Sequence, residues 1–393
     1  MVKRDARPEQ LRVLRIAHAS LTPALRERER AVARNYPNVE MEVITTYRWR
    51  EAEIDVEVAA DDLFPVRSAR THLSKHIQLF AYDPRPIIAA LKEHKPHLID
   101  MSHEPYSVPC AEILTLRDRY APGTPVVMQT NQNIYHRYPP PFNWLEQRAF
   151  RKVAAAYVCS ESVREVLRAK GFSKPAPIIP FGVDLRAFKQ RSETRVKGRT
   201  IGFVGRMLPG KGLNILADAL TKLRDEQWQL LVVGDGSERE SFTKQLGEAG
   251  LLDRTKFTGA VSYELTPEYF QEIDVLVIPT QTTERIREQF GRVIVEAMAC
   301  GVPVIGSTCG AIPEVIGEAG LAFPEGDGAL LADAIKRLLG DEEMKARFSK
   351  LGRARVEENY SWDRVGRMTY ALYQHVVNRR NDLIADSDIE LAA

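Results

Sequence analysis

The chain has 393 residues, 44% of them apolar and 27% charged, with a formal net charge of +2. That length exceeds one ordinary core and points to two domains of about 150–200 residues each, and the composition excludes a disordered or fibrous protein. No run of eighteen apolar residues occurs and "MVKRDARPEQ" lacks the apolar core of a signal peptide, so a soluble protein of the cytoplasm is expected, with no span and no leader.

In chain order, the first half alternates helical patterns with the β-rich segments "RVLRIAHAS", "EMEVITTY", "PHLIDMSHE", "TPVVMQTN" and "AAAYVCSES". Residues 1–190 carry more Lys and Arg than Asp and Glu, and the remainder carries the reverse. The first half, including the basic helix "RERERAVAR" (26–34), is therefore expected to meet something anionic, either a membrane surface or an anionic lipid-linked acceptor. The stretch "QTNQNIYHRYPPPF" (129–142) is polar, aromatic and proline-rich, as a substrate loop or a surface crossover would be.

After "PIIPFGVDLRAF" the polar stretch "KQRSETRVKGRT" (189–200) has no apolar period, which places a domain boundary near residues 185–198. The second half resumes the rhythm with "RTIGFVGR", "WQLLVVGDG", "KFTGAV", "IDVLVIPT", "VPVIGS" and "GLAFP", separated by helical stretches such as "GLNILADALTKL". Strands alternating with helices of this length imply βαβ units and parallel sheets, with ligand sites at the carboxyl ends of the strands. Beyond residue 329 the pattern is helical, "YSWDRVGRMTYALYQHVVNRR" (360–380) keeps helical spacing, and the tail "NDLIADSDIELAA" is acidic. Cys110, Cys159, Cys300 and Cys309 lie far apart with no histidines at zinc spacing, and read as reduced core thiols.

Two segments carry chemistry. From Gly205 the chain runs G-R-M-L-P-G-K-G, which satisfies G-x-x-x-x-G-K but puts Gly212 where a Walker A loop needs Ser or Thr for magnesium. As a loop between a strand and a helix it still offers backbone N–H groups to an anion, flanked by Arg206 and Lys211; a tight turn with solvated cations is the alternative. The turn "GDGSER" (234–239) supplies only the first two glycines of a dinucleotide fingerprint.

The second segment is "EQFGRVIVEAMACGVPVIGS" (288–307), in which seven residues separate Glu288 from Glu296. Glu296 sits in an apolar helical run, where a carboxylate needs hydrogen bonds from a hydroxyl-rich ligand or a buried arginine. With the helix beginning near Phe290, Glu296 lies roughly 9 Å along its axis. The N–H groups of Phe290, Gly291 and Arg292 then form a seat for a diphosphate. The order hydroxyl acceptor, anion site, hydroxyl acceptor is that of a nucleotide sugar.

Together, "GFVGRMLPGKGL", "VVGDGSE", "FTGAVS" and the E-x7-E segment resemble the retaining glycosyltransferases of family 4. The match is best over 199–326, and extends loosely to "PFGVDLRAF" and to "YSW" before the last helix. The resemblance implies an α/β chain of the GT-B fold: two Rossmann-like domains facing each other across a central cleft, with a C-terminal helix crossing back to the first. Residues 1–188, with the helix at about 361–380, would form the acceptor domain, and 199–360 the donor domain.

Carried over to this sequence, the resemblance implies that Glu288 contacts the donor sugar, Glu296 the ribose, and Arg206 and Lys211 the diphosphate, with no metal. Val261 would lie beside the nucleobase, and His103, in "SHEP", would face the sugar near the reacting carbon. His18, His72, His76 and His94 receive no role. The family's glycine-rich first loop is missing from "RIAHASLTPALRERER", so Ser20 or nearby backbone would substitute. Ser20, Gln129, Asn131, Asn133 and Tyr135 are the acceptor-side candidates.

The implied activity is sugar transfer from a UDP- or GDP-sugar to a glycan, lipid-linked or small-molecule acceptor in polysaccharide or glycoconjugate synthesis. No cofactor and no nucleic acid are implied, and the chain would work in the cytoplasm, at the inner membrane face where it meets lipid. A nucleotide-sugar epimerase, a non-catalytic nucleotide-sugar-binding subunit and a P-loop ATPase are the competing readings.

Overall fold

The computed structural model describes residues 10–51, 54–73, 76–190, 198–378 and 386–391. Most of the polar stretch 189–200 and most of the acidic tail lie outside them. The chain divides into two compact units, Met1–Pro180 with Trp362–Ala393, and Phe181–Ser361.

The first unit is built on a parallel sheet of six strands. Their spatial order is Ala155–Tyr157, Val126–Gln129, Leu98–Ser102, Leu11–Ala17, Val39–Thr46 and Val66–Ala69. Read along the chain this is the 3-2-1-4-5-6 order of a doubly wound sheet, which reverses between Leu11–Ala17 and Leu98–Ser102. The central strands are near-continuous apolar runs because helices cover both faces of such a sheet. Two short antiparallel pairs, Arg48–Glu51 with Ile54–Glu57 and Thr71–His72 with Ala81–Tyr82, stand beside it.

Two arginines, Arg12 and Arg15, break the apolar run of the first strand. Arg15 is buried, with Nη1 2.6 Å from Asp100 and Nε 2.9 Å from Glu29. Asp100 also accepts from the hydroxyls of Tyr157 and Tyr373. The arginines and these hydroxyls hold the Asp100 carboxyl below its usual range against the opposing effect of burial. Tyr373 belongs to the helix Trp362–Val377, which lies on the helix Glu27–Asn35 with Tyr370 stacked on Tyr36 at 3.7 Å. Gly366 allows this approach, since a Cβ there would stand 3.0 Å from the Cβ of Ala31.

The arginines of "RERERAVAR" face inward. Arg26 is enclosed and donates to the carbonyl of Ala59, Arg28 pairs with Glu29, Arg30 with Asp61 and Asp62, and Arg34 with Glu27. The charges of this helix are thus met by acids of its own turns and by Asp61 and Asp62. Among the described residues no helix is long and apolar enough to cross a membrane. All four cysteines are buried and free of disulfides.

The second unit repeats the same order: Thr255–Phe257, Gln229–Val233, Thr200–Val204, Val275–Ile278, Val304–Ser307 and Gly320–Phe323, all parallel. Its core packs Phe203, Leu216, Leu220, Trp228, Val232 and Ile335 between sheet and helices. The order reverses between Thr200–Val204 and Val275–Ile278, so the loops after these two strands flank the expected ligand position of this unit.

Candidate functional site

In the second unit the loop from Gly205 to Gly212 joins the strand Thr200–Val204 to the helix Leu213–Lys222. Gly205 N donates to Val233 O at 2.9 Å and Met207 N to Asp235 O at 2.8 Å, which tie it to the neighbouring strand end. Gly212 caps the helix in the left-handed region at φ 74°, and a Cβ there would stand 1.8 Å from the carbonyl oxygen of Pro279. The residue that spoils the Walker A pattern is therefore required by the backbone packing of the switch point.

Lys211 and Glu288, 77 positions apart, meet here: Lys211 Nζ lies 2.7 Å from Glu288 Oε2, both side chains being partly exposed. Glu288 is fixed through its backbone. Its carbonyl accepts from Ala311 N at 3.0 Å, and its N–H is 3.5 Å from Cys309 Sγ. At Gly310, φ 57°, a Cβ would stand 2.1 Å from Glu288 O, so only glycine permits this approach.

The helix that carries Glu296 runs Arg292–Ala299, with Gly291 as its left-handed N-cap. It starts two residues later than expected, because Gly291 leaves helical geometry and Phe290 is buried between Phe181 and Tyr360. Glu296 is its fifth residue, about 6 Å along the axis rather than 9. Burial pushes the Glu296 carboxyl up, against Arg292 at 3.8 Å and a hydrogen bond from the Tyr263 hydroxyl. The Arg292 guanidinium also lies over the Tyr263 ring at 5.2 Å. Arg206 is exposed beside this loop system, and Val261 is half-buried. This unit thus combines two helix N-termini, three cations and two carboxylates, each carboxylate already paired internally.

In the first unit His103 follows the strand Leu98–Ser102 and is buried, 3.1 Å from the Tyr82 hydroxyl through Nε2. Its ring lies 5.3 Å from that of His18, which follows the adjacent strand Leu11–Ala17. His18, given no role from the sequence, thus stands beside His103: 85 positions separate the two rings in sequence, and the parallel pairing of their strands brings them together. His72 and His76 are exposed, and His94 is a core residue bonded to Val13 O.

Burial and the nearby Arg15 charge hold both rings neutral, His103 well below its ordinary range and His18 at about 4. Because these folded-state values lie below the unfolded one, proton uptake favours the unfolded chain. Stability present above about pH 6.5 is expected to be lost as pH falls towards 4. Thermal denaturation across that window should show a falling Tm, with a smaller fall for His18→Gln; equal slopes for the two chains would refute the linkage.

The acceptor-side candidates divide. Ser20 and Asn133 are buried, and Gln129 Oε1 already accepts from Arg15 and Ser102 at 3.1 and 3.0 Å. Ser20 and Asn133 thus lie in the interior, and Gln129 is half-buried with its carbonyl oxygen already engaged. Asn131 is half-buried and donates its N–H to Glu104 at 2.9 Å, and Glu104 also takes the Thr130 hydroxyl. Tyr135 is 47% exposed.

Two family profiles match the chain in tandem. "Glycosyltransferase Family 4" covers residues 29–187 and "Glycosyl transferases group 1" covers 185–355. Over 184 residues the chain is 36% identical to a phosphatidyl-myo-inositol mannosyltransferase of Mycobacterium leprae, covering 46% of this chain and 47% of that protein. Over 281 residues it is 26% identical to an alpha-D-kanosaminyltransferase of Streptomyces kanamyceticus, covering 65% and 71%. The chain thus spans about half the length of the first of these relatives and under three quarters of the second. The Anabaena protein HepE, solved with UDP, superposes with a TM-score of 0.70 at 18% identity over 92% of this chain and 99% of that one, a likeness of fold.

Proposed function

Since the chain belongs to the family 4 glycosyltransferases of GT-B fold, matched in both halves of its sequence, we propose that it moves a hexosyl group from a nucleotide-diphosphate sugar to a hydroxyl of a glycan, lipid-linked or small-molecule acceptor. The proposal includes retention at the anomeric carbon and a diphosphate held without a metal. The observation that carries it is the Lys211–Glu288 pair at the loop before the helix Leu213–Lys222. A diphosphate arriving there would draw Lys211 and leave Glu288 free to accept from sugar hydroxyls.

Cleavage of the glycosyl–phosphate bond leaves positive charge on the anomeric carbon and negative charge on the departing diphosphate. Lys211, Arg206 and the N-terminal amides around Gly291 and Arg292 would stabilise the leaving group. The acceptor hydroxyl then forms the new bond to carbon on the same face, and its proton passes to the departing phosphate oxygen. His103, held neutral, would face the sugar without adding charge near the reacting carbon. The relatives named above are transferases, and no observation favours the epimerase or the non-catalytic subunit.

Incubating the chain with labelled UDP-glucose, GDP-mannose and other nucleotide sugars, with and without lipid and glycan acceptors, tests the proposal. Acceptor-dependent sugar transfer is expected, whereas epimerised donor with no transfer would refute it. Glu296→Gln keeps size but weakens the bond proposed to the ribose. It should raise the apparent donor constant about tenfold, near 1.4 kcal/mol, with turnover little changed.

A further inference from the structure

Two side chains at the carboxyl end of the first unit's sheet have no task in the donor reading. The His18 ring lies 4.8 Å from Trp49 and 5.7 Å from Phe80, besides its contact with His103. Phe80 and Tyr82 are fully enclosed, while His18 and Trp49 are half-buried and form the open side of this cluster. His18 follows one of the two strands between which the sheet order reverses, where open α/β sheets bind ligands.

The protonation of His18 follows from its surroundings. Nδ1 is enclosed and has no hydrogen-bond partner. An enclosed N–H without an acceptor is the costlier arrangement, so the proton resides on Nε2 and this nitrogen is the donor left for a ligand. Behind both imidazoles stands Arg15, paired with Asp100 and Glu29, and His103 Nε2 is already engaged by Tyr82. The open side therefore offers aromatic faces and an N–H donor but no net charge of its own. That chemistry fits a ring with C–H faces and hydroxyls, and does not fit a phosphate.

We propose that His18 and Trp49, beside His103, bind a neutral pyranose ring, with His18 Nε2–H donating to a ring hydroxyl and the Trp49 indole lying along a C–H face. This rests on the glycosyltransferase reading and adds to it two sugar-contacting residues. The ring is either the donor's sugar or that of a glycan acceptor, and the binding chemistry is the same for both.

The test is calorimetric titration of the full chain with UDP, GDP, UDP-glucose and GDP-mannose, combined with transfer kinetics using methyl α-mannoside and methyl α-glucoside. His18→Ala is expected to weaken the preferred nucleotide sugar about tenfold and leave the nucleoside diphosphate unchanged. His18→Gln, whose amide reaches the place of Nε2, should recover most of that loss, and His18→Asn, which reaches only the place of Nδ1, should not. Trp49→Phe should bind nearly as the parent, and Trp49→Ala should lose about as much as His18→Ala. If nucleotide-sugar affinity holds while the KM for the methyl glycosides rises, the ring bound is the acceptor's.

The Gln and Asn variants keep the test decisive where alanine impairs folding. Parent-like affinity and kinetics in both His18→Asn and Trp49→Ala would overturn the proposal, as would equal weakening of nucleoside diphosphate and nucleotide sugar. Failure of the transferase reading looks different: then Glu288→Gln would also be silent.

Discussion

Lys211→Ala is expected to lower kcat by about 10²–10³-fold, or about 2.7–4 kcal/mol, while the donor KM changes only a few-fold. The ammonium is paired with Glu288 at 2.7 Å, so binding a diphosphate exchanges one anionic partner for another and gains little. As the glycosyl bond breaks, charge on the leaving diphosphate grows and the fixed cation gains attraction that the ground state lacks. Glu288→Gln removes the carboxylate that competes for Lys211, so nucleoside diphosphate affinity should hold or rise, while turnover falls through poorer sugar positioning. Because the two side chains touch, the double variant should fall short of the summed single effects. Single-turnover kinetics with nucleoside diphosphate titration will check this. Both variants within twofold of the parent would end the assignment. Magnesium-dependent ATP hydrolysis that is lost in Lys211→Ala and kept in Glu288→Gln and Glu296→Gln would replace it with a P-loop reading.

The sheets were legible because parallel strands covered on both faces must be written as apolar runs, as in "RVLRIA" and "IDVLVIPT". Val66–Ala69 escaped because an edge strand needs no such run: it reads V-R-S-A and only Ala69 is buried. The start of the helix Arg292–Ala299 was misplaced for a different reason. Apolar period shows that a helix exists, whereas its first residue depends on Gly291 adopting φ 80°. Lys211 and Glu288 could each be picked from local motifs, yet their contact depends on the neighbouring loop through Ala311 and Gly310. His18 carried no local signal at all. Its partner His103 lies one strand away in space, and the shared setting, with Arg15 buried beneath, arises only from strand order. The ion pairs of the basic stretch 26–34 were not legible because charge counted along a sequence ignores which acids fold against it, and Asp61 and Asp62 are about thirty positions away.

Gly212→Ser, which completes the G-x-x-x-x-G-K-S pattern, is expected to destabilise the chain by about 3–5 kcal/mol and to confer no ATPase activity. Two independent costs add at this position. The residue sits at φ 74°, where a non-glycine residue is strained, and its Cβ would fall 1.8 Å from the Pro279 carbonyl oxygen, a backbone atom that cannot rotate away. To make room, the loop after Val275–Ile278 would have to withdraw from the loop after Thr200–Val204, and with it the bond from Gln281 N to Gly210 O at 2.8 Å. Lys211 precedes the altered residue, so its reach to Glu288 would be lost with the turn. The expected signature is a lowered Tm together with loss of nucleoside diphosphate binding, both worse than in Lys211→Ala, which leaves the backbone intact. Urea denaturation with and without ligand separates the two variants. A Gly212→Ser chain as stable as the parent would show that this turn is not held against Pro279, and would reopen the loop as an adaptable phosphate cradle.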